Sequence, residues 1–396
     1  MPTGSTPRLA VIIAAAALLG ACTGGDATPS ATAAGSSSGA PELSPAPSPT
    51  AAAPASSPTV PPDPLEVYRA IAADVVEIRG LAAPERTDPQ VIDAETLRKN
   101  LEAEFDESNP EAQIQIAERV YKALGLLPEG ASLRDIYLEL QGSQVIGYYD
   151  PSADELFIVS RSGSLGPTER LTYAHEFTHE LQDRRFDLES LGLEGVTDEG
   201  DRGLAVLGLV EGDAVTVQGA WMTANLSPAE LAQVAAEAGD PEMLAVLART
   251  PAILLETSLF PYQAGATFIA TLLARGGYAA VDAAYGNPPA STEQVIHPEK
   301  YLAGEAPIDV GLPTDLARRF GEGWTVDAQD TLGELQLRVW LREGGLAGDV
   351  ARTAVEGWGG DRVALLAAPG GAGDGVVIVT EWDTAADAAE FRTAAE

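Results

Sequence analysis

The chain has 396 residues but only one Cys, three His and, by direct count, three Lys (Lys99, Lys122, Lys300). A single Cys excludes an intrachain disulfide framework and any multi-Cys zinc or iron–sulfur site. With 24 Lys+Arg against 59 Asp+Glu the formal charge is −35. That balance opposes nucleic-acid binding, which needs clustered cations on the phosphates, and electrostatic docking on anionic lipid. No apolar run reaches the roughly 18 residues of a membrane-spanning helix. Scarce Lys beside abundant Ala and Arg reads as the codon bias of a GC-rich genome, so composition says little more about function. The length suits one large domain or two ordinary ones, and no internal repeat is visible.

The lone Cys has a telling position. Leu9–Leu19 is an apolar run, followed by Gly20-Ala21-Cys22. A short start with one Arg, an apolar stretch and small residues before a cleavage point form a secretory signal over 1–21. Its end resembles the bacterial lipobox, in which the Cys is lipidated and becomes the mature N-terminus; the plainer reading is an ordinary signal with an incidental Cys. All but four of the next 40 residues, Thr23–Pro62, are Gly, Ala, Ser, Thr or Pro. Such a segment cannot bury enough apolar surface to offset its ordering entropy, so residues 22–62 are expected to be a lipidated Cys and a disordered tether. The expected location is extracytoplasmic, on the bacterial cell surface, with the membrane met through the lipid.

The folded body is expected to be α+β and mostly helical. Residues 63–143 suggest a helix over 65–79, a short strand over 87–92, a helix from 94 capped by Asp93, and another over 111–124. Val145–Tyr149 and Glu155–Ser160 read as a hairpin. Helices follow over Pro167–Phe186, Leu204–Met222, Pro228–Thr250 and Pro261–Arg275. After residue 347, two strands and a last helix form a small α/β appendage, which leaves 144–346 as the core.

Within the Pro167–Phe186 helix stands His175-Glu176-Phe177-Thr178-His179. Positions i and i+4 share a helix face, so both imidazoles can reach one Zn²⁺. Glu176 lies beside the metal and can take a proton from zinc-bound water, whose pKa the ion lowers. The plainer reading is two incidental His on an amphipathic helix. A catalytic site needs a third protein ligand and an open position. Arg185 stands six residues after His179, which excludes a third His on the metzincin pattern. Glu211 is the candidate, on a helix too apolar to face water and with no Lys or Arg between Arg202 and Arg249. Asp213 is a rival ligand or, like Asp183, an orienting partner for a His ring. Gly212 and Ala214 would let this helix pack closely on the His helix. His297, in a polar loop, could donate to the oxyanion, with Tyr262 or Tyr301 as alternatives; the plainer reading is a surface His.

The hairpin, the HEFTH motif and the downstream Glu211-Gly212-Asp213-Ala214 resemble the gluzincins, zinc metallopeptidases of thermolysin-like architecture. The resemblance is closest to a group of surface-anchored bacterial and archaeal HExxH proteins, over roughly 140–345, including Gly147–Pro151, Phe260-Pro261-Tyr262 and Ser291–Tyr301. It implies a zincin-like body, hydrolysis of peptide or protein substrates by metal-activated water, and an edge strand, Glu155–Ser160 or Val145–Tyr149, that pairs with the extended substrate; the plainer reading is a purely structural hairpin. The rival is a surface lipoprotein that holds zinc without turning anything over.

Overall fold

The computed structural model describes residues 63–84, 88–159, 165–192 and 199–396. Cys22, the signal sequence and the tether lie outside the described residues. The fold is α+β and mostly helical, with two three-stranded sheets.

Helix α1 (Pro64–Arg79) opens at Asp63, which accepts from Leu65 N, and stops at left-handed Gly80. It buries Tyr68, Ile71, Ala72 and Val75, a helical stripe. Strand β1 (Gln90–Ile92) precedes α2 (Ala94–Ser108), whose cap Asp93 accepts from Thr96 N at 2.8 Å. Then come α3 (Glu111–Ala123) and α4 (Leu133–Gln144). Sequence reasoning missed α4, although Ser132 caps it by accepting from Asp135 N. The hairpin forms as expected from β2 (Gly147–Asp150) and β3 (Glu155–Val159), antiparallel, with Asp150 Oδ1 accepting from Ser152 N and Ala153 N in the turn. Because β1 pairs with β3 in parallel, β3 is central and β2 is an edge.

Helix α5 (Pro167–Phe186) and α6 (Gly200–Asn225) follow. The single helix expected over 228–250 is two, α7 (Pro228–Ala238) and α8 (Pro241–Arg249). The break falls where Asp240 turns to accept from Glu242 N and Met243 N, starting α8 at a Pro. Helix α9 (Ala252–Gly276) begins well before Pro261, which sits inside it. A Pro normally marks a helix start; here packing against α6 carries the helix through it.

Short helices α10 (Tyr278–Tyr285), α11 (Thr292–Ile296), α12 (Pro298–Ala303) and α13 (Leu316–Phe320) lead to β4 (Thr325–Asp330), α14 (Gly333–Glu343) and α15 (Gly348–Val355). Strands β5 (Trp358–Ala367) and β6 (Asp374–Trp382) and helix α16 (Ala385–Ala395) complete the chain. The second sheet runs β4-β5-β6, all antiparallel, so it draws in a strand from before residue 347.

Helices α6 and α9 approach closely at small residues. A Cβ on Gly212 would lie 2.3 Å from the Gly265 carbonyl carbon, and one on Gly265 would lie 2.2 Å from Gly208 O. Gly212 therefore faces α9, not the His helix as expected. The contact fixes Glu211 on α6 and Tyr262 on α9 relative to each other. Among the described residues no single helix is long and apolar enough to cross a membrane.

Candidate metal centre

Helix α5 is buried on nearly every side: His175, Glu176, Phe177, Thr178, His179 and Gln182 are all fully shielded. Tyr173 and Phe177 stack on one flank, and the imidazoles face α6. His175 Nε2 lies 3.0 Å from His179 Nε2 and 3.2 Å from Glu211 Oε2, and His179 Nε2 lies 3.5 Å from the same oxygen. A tetrahedral Zn²⁺ with bonds of about 2.0–2.1 Å sets its ligands about 3.3–3.4 Å apart. The trio already has the spacing that one ion requires.

The protonation of His179 follows from its neighbours. Val210 O can only accept, and Gln182 Nε2 donates to it at 3.0 Å. The Gln182 oxygen is thereby turned to His179 Nδ1, 2.7 Å away. The Nδ1 must carry the proton, which leaves the Nε2 lone pair facing Glu211 and His175. Gln182 Nε2 also reaches Asp213 Oδ2 at 3.2 Å. Asp213 is held by Arg79 Nε at 2.9 Å and by Tyr285 OH at 3.0 Å, and Arg79 reaches on to Asp282 at 2.7 Å.

The partner of the His179 ring is thus Gln182, with Asp213 one step behind and its counter-charge supplied by α1. No sequence signal linked Arg79 to Asp213, 134 positions away. Asp183 instead accepts from Tyr149 OH at 3.1 Å and from Leu188 N at 3.0 Å. His175 Nδ1 is buried and has no hydrogen-bond partner among the described residues, a departure from the usual rule that a metal-bound imidazole donates its other N–H.

Glu211 divides its two oxygens. Oε2 faces the imidazoles, while Oε1 accepts from Tyr262 OH at 3.0 Å. Burial pushes this carboxyl up, but the bonds with His175 and His179 outweigh it and hold it below its ordinary value. Burial pulls His175 down, which favours the neutral ring. An anionic carboxylate and a neutral imidazole in a dry site suit a divalent ion. Among the described residues no ammonium or guanidinium contacts this trio.

Glu176 points toward the hairpin, where its Oε2 accepts from Tyr149 N at 3.1 Å. The edge strand β2 is itself buried. A cleft of about 720 Å³ opens at Glu211 and Tyr262; His175, Glu176 and His179 lie behind its wall, and no residue of β2 or β3 lines it. Its walls come from α2, α3, α4, α6, α9, α14 and the second sheet.

His297 is not brought to this cluster. Its Nε2 lies 3.1 Å from Glu334 Oε1 on α14, and it does not line the cleft. The Glu334 bond raises its pKa, and burial works against that rise. Its loop is in fact the junction of α11 and α12. Tyr301 donates to Asn287 O at 2.9 Å, also away from the trio. Of the three donors considered from sequence, Tyr262 alone touches a candidate ligand. Burial, with Glu211 and Glu176 nearby, pushes its phenol far above the ordinary value, so it keeps its proton.

Comparison with known proteins adds one match. Residues 316–396 match a domain of unknown function, DUF8575. That segment is α13 through α16, including the whole second sheet. No curated protein matches the chain, and no solved structure does.

Proposed function

We propose that this chain is a zinc metallopeptidase of gluzincin type, secreted and held at the cell surface through Cys22. The observation that carries the reading is the convergence of His175 Nε2, His179 Nε2 and Glu211 Oε2 on the helix turn that carries Glu176, with Glu211 also lining a cleft. Three protein ligands leave one coordination position for solvent or substrate. Bound there, zinc would acidify water and polarise a peptide carbonyl.

The chain's own residues supply the rest. Glu176, one helical position after the first ligand, would take the proton from the attacking water and return it to the leaving amine. Its bond from Tyr149 N holds the carboxylate on the hairpin side of the helix. Tyr262 would exchange its bond to Glu211 for one to the developing oxyanion, as a half-buried donor on the cleft wall. Gln182 holds the His179 tautomer, and the Arg79–Asp213 pair holds Gln182.

One observation favours the second reading, a surface lipoprotein that stores or senses zinc without turnover: Glu176 is fully buried and already bonded. Zinc content and peptide hydrolysis, measured for the parent chain and Glu176→Gln, separate the two. The peptidase reading expects full metal in both and a loss of about a thousandfold or more in kcat on substitution. Equal metal with no hydrolysis in either chain assigns the second reading.

A further inference from the structure

The cleft has a direction. On α6 its lining residues are Gly200, Gly203, Leu204, Leu207 and Glu211. Those spacings of three and four place them on one helix face. The stripe from Gly200 to Glu211 is about 16 Å long. Along α9 the face of Leu254, Thr257, Ser258 and Tyr262 runs beside it. The groove therefore runs from Glu211, the one member of the candidate metal trio that lines it, toward the N-terminus of α6. There Asp330 of β4 accepts from Gly200 N at 2.8 Å. At that far end Ala328, Gln329, Val363 and Leu365 of the second sheet close the wall. A length of about 16 Å holds about five residues of extended peptide on one side of a cleaved bond.

The wall chemistry is one-sided. Among the described residues lining the cleft there is no Lys, Arg or His, while Glu104, Glu199, Glu211 and Asp330 are acidic. The remaining polar groups are mostly amides and hydroxyls. One of them, Gln113, has its Oε1 buried with no hydrogen-bond donor among the described residues. The rest is apolar, including Leu140, Leu204, Leu207 and Leu254. An acidic side chain entering here would lose water and meet only like charge. A free C-terminal carboxylate would find no cation to hold it, which disfavours removal of residues from a C-terminus.

We infer that the cleft takes an extended peptide segment with apolar, neutral or basic side chains and excludes acidic ones, and that the C-terminal sheet selects the residues furthest from the cleaved bond. This inference rests on the peptidase reading for the position of that bond. It also gives the DUF8575 segment a role as one wall of the substrate groove.

Binding tests the inference separately from cleavage. Labelled peptides of equal length, identical except for Leu, Lys or Glu at successive positions, are titrated by fluorescence anisotropy against the zinc-loaded full chain carrying Glu176→Gln. Leu and Lys peptides are expected to bind about tenfold or more tighter than their Glu counterparts. Gln329→Arg, an exposed position on β4, is expected to relieve the penalty only for Glu at the distal positions. Leu207→Arg, near Glu211, is expected to relieve it at the proximal ones. Equal affinity for Leu and Glu peptides overturns the charge selection. An unchanged distal preference in Gln329→Arg overturns the role of the sheet. Displacement of every peptide by a long-chain fatty acid, without charge preference, overturns the peptide assignment. Charge-selective binding without hydrolysis by the parent chain leaves this inference standing and removes the peptidase reading instead.

Discussion

Among the described residues two places gather three ligand-type groups within 4.8 Å, and they solve the same electrostatic problem differently. In one, Glu293, Glu305 and Asp383 surround Lys300, whose Nζ lies 2.7, 2.7 and 2.6 Å from them. The chain provides the cation, and the cluster ties α11 and α12 to the turn before α16. In the other, His175, His179 and Glu211 meet with no cationic side chain among the described residues. The first group is all hard oxygen and partly exposed; the second is two imidazoles and one carboxylate, and buried. Convergence alone does not make a metal site. The donor set and the source of the positive charge distinguish a salt-bridge clamp from a place for a transition metal.

The largest expected effect removes the second arrangement. His175→Ala should lower bound zinc from about one equivalent to less than about a tenth, by elemental analysis after dialysis. Chelator should lower the melting temperature of the parent chain and leave that of the variant unchanged. Retained zinc in the variant would break the comparison.

A smaller effect converts the first arrangement toward the second. Lys300→Met leaves three carboxylates facing one another and should cost about 2 kcal/mol, less than a fully buried pair because Glu305 and Asp383 are partly exposed. Millimolar Ca²⁺ should recover part of the loss in a thermal melt, since oxygen donors suit that ion. No destabilisation would mean that the clamp contributes nothing.

The smallest effect sharpens the role of Glu293. Burial pushes this carboxyl up to about 7 despite Lys300 beside it. The folded state then binds more protons than the unfolded one between the ordinary carboxyl value and about 7. Its contribution is fully present at acid pH and lost as pH rises through that window. Glu293→Gln should therefore flatten the decline in stability from about pH 4.5 to 7, read from denaturant midpoints. An unaltered slope rules out Glu293 as its source.

Legibility varied with the range of the interaction that shaped each element. The hairpin, α1, α2, α5 and the last helix carry their signals locally: alternation, an Asp or Thr cap, a Pro start. The split between α7 and α8 also had a local cue in Gly239-Asp240-Pro241, and α4 had one in Ser132; both were readable and missed. The passage of α9 through Pro261 was not readable, because the α6 contact that sustains it lies far away in sequence. Gly212 looked like a spacer for the His helix, whereas its partner is Gly265. At the site, His175, Glu176 and His179 are legible as one-turn spacing. Glu211 followed from a charge stranded in an apolar helix.

The sequence by itself determined which side chains could share an ion, since a helical repeat sets His175 and His179 one turn apart whatever surrounds them. It also determined that the chain is strongly acidic and that a Gly/Ala/Ser/Thr/Pro stretch precedes the body. Only the tertiary structure decided that Gln182 fixes a tautomer, that Arg79 balances Asp213, that Tyr262 and not His297 touches Glu211, and that the C-terminal sheet walls the cleft. Each of those depends on backbones meeting across long stretches of chain, as at Gly208, Gly212 and Gly265, and local pattern carries no record of such meetings.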